Sequence, residues 1–121
     1  MRSLRSRTVR LILGGAFSAM TVMAAIPADA AGTAVDMTEG SPNDASTWKF
    51  APPDISVRAG TAVVWTNKGR QPHTASAEDG SFDSGTMKSG AVWEHRFDAP
   101  GEYRYLCTFH PQMTGVVRVT P

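Results

Sequence analysis

Cysteine is almost missing from this sequence: Cys107 stands alone in 121 residues. That excludes an intramolecular disulfide framework, the usual staple of a small exported domain. Histidine is limited to His73, His95 and His110, and the six methionines are scattered, so no His-rich or Met-rich tract is present. Charge of one sign is lacking too, with 12 basic against 11 acidic residues. Long apolar runs are few. The one that stands out, Leu11 to Ile26, is shorter than the ~20 residues a spanning helix needs. Beyond it no segment has a helical apolar period of useful length, which excludes an architecture built on amphipathic helices.

The start of the chain has its own logic. Arg2, Arg5, Arg7 and Arg10 come without an acid, the apolar run follows, and Pro27-Ala28-Asp29-Ala30-Ala31 closes it. A basic segment, a short apolar segment and an Ala-x-Ala end are the parts of a secretory signal peptide. Residues 1–30 are expected to be removed after Ala30, leaving residues 31–121 as one domain. The alternative is an anchor that stays in place. The arginines are not adjacent, which argues against a twin-arginine route. The expected product is exported, periplasmic or extracellular, with no membrane insertion after cleavage and with a monomer as the default.

Without its leader the chain carries eight basic and ten acidic residues, a net charge of −2. The isoelectric point of 8.0 belongs to the whole chain. A near-neutral domain has no electrostatic footprint for nucleic acid or for an anionic membrane. A domain of this size without disulfides relies on its hydrophobic core, and a bound metal would add stability.

From Thr47 onward the text is that of strands. Trp48-Lys49-Phe50 and Ile55-Ser56-Val57 alternate, Thr61 to Thr66 is β-branched, and Trp93, His95 and Phe97 share one face of Ala91 to Phe97. Tyr103 to Cys107 and Val116 to Thr120 complete the set, and Ala34 to Thr38 suits a first edge strand. Short strands between Gly/Pro turns predict an all-β fold, a sandwich or barrel. Tyr103, just after Pro100-Gly101, is similar to the tyrosine corner of Greek-key sandwiches. Residues 74–90 read as a polar loop in which only Phe82 and Met87 are large and apolar.

A lone Cys in an exported protein needs an explanation: an inert buried thiol, an intermolecular bridge, a nucleophile or a metal ligand. Taken singly, His73 reads as a satisfied loop histidine, Cys107 as core and Met113 as core filling. Together they read differently. Cys107-Thr108-Phe109-His110-Pro111-Gln112-Met113 places a thiolate, an imidazole and a thioether within one short loop at a strand end. His73 follows the Thr61–Thr66 strand and the Asn67 turn; that strand and the Cys107 strand are expected to lie side by side in the sandwich, so that their ends meet. A His2Cys plane with a weak axial Met is the signature of a blue-copper electron-transfer site. Zinc is chemically possible with Met113 idle. A cysteine nucleophile would need a contacting base and an oxyanion hole, which this pattern does not suggest. His95 is read as structural, Trp48, Trp65 and Trp93 as sandwich core, and the acids Glu78, Asp79 and Asp83 as a solvated loop.

The residues also resemble a family. Phe50-x-Pro52-x-x-Ile55-x-Val57-x-x-Gly60-x-x-Val63-x-Trp65-x-Asn67, then His73, then Gly101-x-Tyr103-x-Tyr105-x-Cys107-x-x-His110, then Met113-x-Gly115-x-Val117-x-Val119 are similar to the cupredoxins of the plastocyanin/amicyanin type, with a Cys-x-x-His-x-x-Met loop of amicyanin length. The resemblance implies a Greek-key β-sandwich of about eight strands over residues 31–121. It implies one copper ion, held by His73, Cys107, His110 and Met113 and cycling between Cu(I) and Cu(II). It further implies a non-enzymatic carrier of single electrons between donor and acceptor proteins outside the cytoplasm. Asn67 is expected to pin the His73 loop to the Cys107 loop through Thr108. His110 is expected to show an edge to solvent, ringed by Pro72, Phe109 and Pro111 as the docking and electron-exit surface. Delivery or buffering of copper is the alternative function.

Overall fold

The computed structural model describes residues 33 to 121; the leader read at residues 1–30 lies outside them. The described chain forms eight strands: β1 (Ala34–Ser41), β2 (Asp44–Ala51), β3 (Asp54–Arg58), β4 (Thr61–Asn67), β5 (Ser76–Ala77), β6 (Val92–Phe97), β7 (Gly101–Leu106) and β8 (Thr114–Thr120). They make two four-stranded sheets, in the orders β2-β1-β4-β6 and β3-β8-β7-β5. The chain passes from one sheet to the other at every step from β2 to β7, while β1–β2 and β7–β8 stay paired within a sheet, which gives an all-β Greek-key sandwich. Among the described residues no helix is long and apolar enough to cross a membrane.

The alternation of the sequence maps onto the sandwich. Ile55 and Val57 of β3, Val63 and Trp65 of β4, and Val117 and Val119 of β8 all face inward and are buried. Trp65 lies at the centre, with its ring centroid 5.6 Å from Tyr105 across the sheets and 5.8 Å from Phe82. Phe82 and Met87, the two large apolar residues of the polar loop, are both buried and pin it down. The Tyr103 hydroxyl donates to the Ala99 carbonyl at 2.7 Å, which realises the expected corner. Packing allows little slack. A Cβ at Gly115 would overlap the Tyr105 ring.

Two expectations need correction. Ala34 to Thr38 lies within β1, which is an interior strand, antiparallel to β2 and parallel to β4. Val35 and Met37 are fully buried, and the backbone of β1 is paired on both sides, by β2 and by β4. Secondly, β4 and the Cys107 strand, β7, do not lie side by side. They belong to opposite sheets and meet face to face. It is β5, directly after His73, that pairs with the end of β7 through Ser76 and Leu106.

Candidate metal centre

Three side chains converge at one end of the sandwich. The Cys107 Sγ lies 3.7 Å from the Nδ1 atoms of both His73 and His110, and those two nitrogens are 3.2 Å apart. All three donor atoms fall within 4.8 Å of one another. Each is brought there by a different local device. His73 is pinned by a two-way backbone bridge with Met87, N–H to carbonyl at 3.1 Å and 2.8 Å. Cys107 leaves the end of β7. Its loop then folds back: Cys107 N–H donates to the Met113 carbonyl, His110 N–H to the Cys107 carbonyl and Met113 N–H to the His110 carbonyl, at 3.1, 3.3 and 2.9 Å. The three-residue spacings are what make these successive tight turns possible. Met113 is buried beneath them.

The donor set fits a metal ion. Bonds of about 2.0 Å to nitrogen and about 2.3 Å to sulfur, opened to near-trigonal angles, separate the ligand atoms by roughly 3.5 to 3.7 Å. The observed spacings match this, with the two nitrogens slightly closer. The thiol is also prepared. Burial pushes its pKa up, but the His73 ring, the Thr74 N–H at 3.3 Å and the His110 ring outweigh burial and pull it down to about 6. The site therefore presents a thiolate, the form that binds metal. His73 and Cys107 are fully buried and Met113 nearly so, while His110 is only partly buried. Pro72, Phe109 and Pro111 are all exposed, and the Phe109 ring centroid lies 6.4 Å from that of His110.

The links around the ligands differ from expectation. Asn67 is buried and fully used, but its amide donates to the carbonyls of Gln71 (2.8 Å) and Met87 (2.9 Å) and its oxygen accepts from Gly69 N–H (2.9 Å). It braces the His73 loop against the Met87 segment, and Thr108 is not its partner. The strap to the Cys107 loop is Thr74, whose hydroxyl accepts from Thr108 N–H at 2.9 Å and lies 3.1 Å from the Thr108 hydroxyl. The reason is topological: Asn67 ends β4 in one sheet, whereas Thr74 enters β5 beside β7.

Sequence reasoning missed two further neighbours. Trp48, read as core, stands edge-on to both rings, with centroids 4.6 Å from His110 and 5.7 Å from His73. Glu39, at the end of β1, places Oε1 3.0 Å from His73 Nε2. The same oxygen accepts from Gln71 N–H at 2.8 Å. Burial raises the Glu39 pKa, but the Gln71 and Arg70 backbone donors and the His73 ring more than offset this and hold it below the ordinary carboxylate value. For His73, burial works to lower the pKa, while Cys107 and Glu39 raise it, and the net direction is upward. The one signal for Glu39 in the sequence is Gly69, which leaves room where a side chain would stand. His95, as expected, is structural: it stacks on Trp93 with centroids 5.5 Å apart.

Comparison with known proteins agrees with this geometry. Residues 35–120 match the copper-binding proteins of the plastocyanin/azurin family. The chain is 32% identical to amicyanin-alpha of Methylorubrum extorquens over 115 residues, covering 90% of this chain and 97% of that protein. It is 30% identical to amicyanin of Paracoccus denitrificans over 111 residues, 87% of this chain and 85% of the other. Among solved structures, a purple cupredoxin from Nitrosopumilus maritimus superposes with a TM-score of 0.65 at 29% identity, over 73% of this chain and 99% of its own.

Proposed function

Because the chain belongs to the plastocyanin/azurin family of copper-binding proteins, we propose that it carries single electrons between redox partner proteins outside the cytoplasm. Copper, when bound, supplies the one-electron couple. His73, Cys107 and His110 would hold it, with Met113 as a weak fourth ligand. The observation that carries the reading is the asymmetry of burial. His73, Cys107 and Met113 are sealed from solvent, whereas His110 reaches the surface. Such a site shields its ligands from exchange yet leaves one conjugated ring as a short path to a docked partner.

The chain's own residues do the rest. The Cys107 thiolate would donate charge to a bound copper ion, and the hydrogen bond it accepts from Thr74 N–H would moderate that donation. The two-sheet scaffold and the doubly braced loops hold the donor atoms at fixed separations, so little rearrangement accompanies electron gain or loss. Exposed Phe109 and Pro111, on either side of His110, together with exposed Pro72 beside His73, would make a mostly apolar contact that a partner can cover and release quickly. The leader read at residues 1–30 supports the extracytoplasmic location. The test is electrochemical. A copper-loaded carrier shows a reversible one-electron wave and fast electron self-exchange. A copper-delivery protein instead locks the ion as Cu(I) and surrenders it to a competing chelator, and that outcome would replace this reading.

A further inference from the structure

Glu39 stands behind the His73 ring, against the nitrogen that faces away from Cys107. Its side chain is 4% exposed and the His73 side chain is fully buried. Burying a carboxylate is costly unless hydrogen bonds and an opposing group receive it. Here its Oε1 receives Gln71 N–H at 2.8 Å and meets His73 Nε2 at 3.0 Å. The chain is shaped to admit it. β1 runs parallel to β4 with Met37 opposite Asn67, and Lys68 N–H donates to the Met37 carbonyl at 2.9 Å, so Glu39 arrives beside residue 69. That residue is glycine, and a Cβ there would overlap the Glu39 carboxylate.

The arrangement divides the two nitrogens of His73. Nε2 faces the carboxylate, while Nδ1 faces Cys107 Sγ and His110 Nδ1. A carboxylate that accepts a hydrogen bond from one ring nitrogen holds the proton there, leaving the other nitrogen with a free lone pair and a fixed direction. It also stands as a negative charge behind the ring, which favours the more positive state of a bound metal. We propose that Glu39 is a positioning and tuning residue for the copper site: it fixes Nδ1 of His73 as the ligand atom and lowers the reduction potential. This rests on the copper reading above. The rival role is a purely structural tie between β1 and the His73 loop.

The test is Glu39→Gln, which keeps the shape and one acceptor oxygen but removes the charge. The expected copper-loaded variant keeps its intense visible band. Its electron-exchange equilibrium with a reference couple shifts about tenfold toward the reduced form, equivalent to about 59 mV for one electron. Its Cu(II) affinity falls by about tenfold or more, as for other outer partners of metal ligands. A normal band with unchanged potential and affinity overturns this proposal alone. An unmodified protein that forms no such band with Cu(II) overturns the copper reading and this proposal with it. Should the variant fail to fold, nitrogen-15 NMR of the unmodified Cu(I) protein decides. A slowly exchanging His73 Nε2–H coupled to the Glu39 carboxylate supports the assignment, and an unprotonated or freely exchanging Nε2 overturns it.

Discussion

Thr74 joins two loops that come from distant parts of the chain, so removing its hydroxyl measures how much one strap contributes. In Thr74→Val the side-chain shape is retained. The variant loses the bond accepted from Thr108 N–H at 2.9 Å and the contact with the Thr108 hydroxyl at 3.1 Å. It also loses the bond from Ser76 Oγ at 2.9 Å, though Ser76 keeps Asp83 at the same distance. A typical net hydrogen bond contributes about 1 kcal/mol, and a buried donor left unpaired costs more. Thr108 is exposed, so water recovers part of its loss. The expected total is about 2 kcal/mol. For a domain of this size that lowers the melting temperature by about 8 to 16 °C. Thr108→Ala is the control: it removes only the hydroxyl contact and leaves the backbone bond, for roughly 0.5 kcal/mol. The assay is thermal unfolding of the metal-free protein followed by circular dichroism. A Thr74→Val loss below about 0.5 kcal/mol, or a Thr108→Ala loss of equal size, would refute the strap.

Other outcomes follow from the same geometry. Gly115→Ala forces a Cβ into the Tyr105 ring, which is 1% exposed and cannot move aside. Overpacking of this kind costs about 1 to 3 kcal/mol, and denaturant unfolding that shows no loss would mean the ring can yield. In metal-free protein the Cys107 thiolate band near the ultraviolet edge should fade on acidification with a midpoint near 6, well below an ordinary thiol. Because that pKa is depressed on folding, its stabilisation is complete above the unfolded thiol value of about 8.5 and is lost as pH falls through 6. The raised pKa of His73 acts with the opposite sign, stabilising below about 6.5 and fading as pH rises through its folded value. A thiol midpoint at or above 8.5 would contradict the described contacts.

The parts of this protein that sequence made legible are those encoded locally. Period-two alternation marked most strands, and the spacing from Cys107 to Met113 marked a loop that must fold back on itself. His73 could be added because it follows a turn. What escaped depended on strand order. Nothing near Glu39 in sequence says that β1 runs parallel beside β4, and that pairing alone carries the carboxylate to His73. The same blindness assigned the strap to Asn67 rather than Thr74, since the choice turns on which sheet each residue enters. Trp48 is part of the core, as read, at 8% exposure; what escaped is that its ring also meets the His110 ring in a T-shaped contact.

The central claim is that His73, Cys107 and His110, with Met113, form one copper site whose thiolate is bonded to the metal. Its most direct test is titration of the metal-free protein with Cu(II), followed by visible absorption and electron paramagnetic resonance, beside Cys107→Ala. The expected result is an intense visible charge-transfer band saturating at one equivalent, a small parallel copper hyperfine splitting, and loss of both in the variant. A pale complex with ordinary hyperfine splitting, or a band that survives in Cys107→Ala, would contradict it.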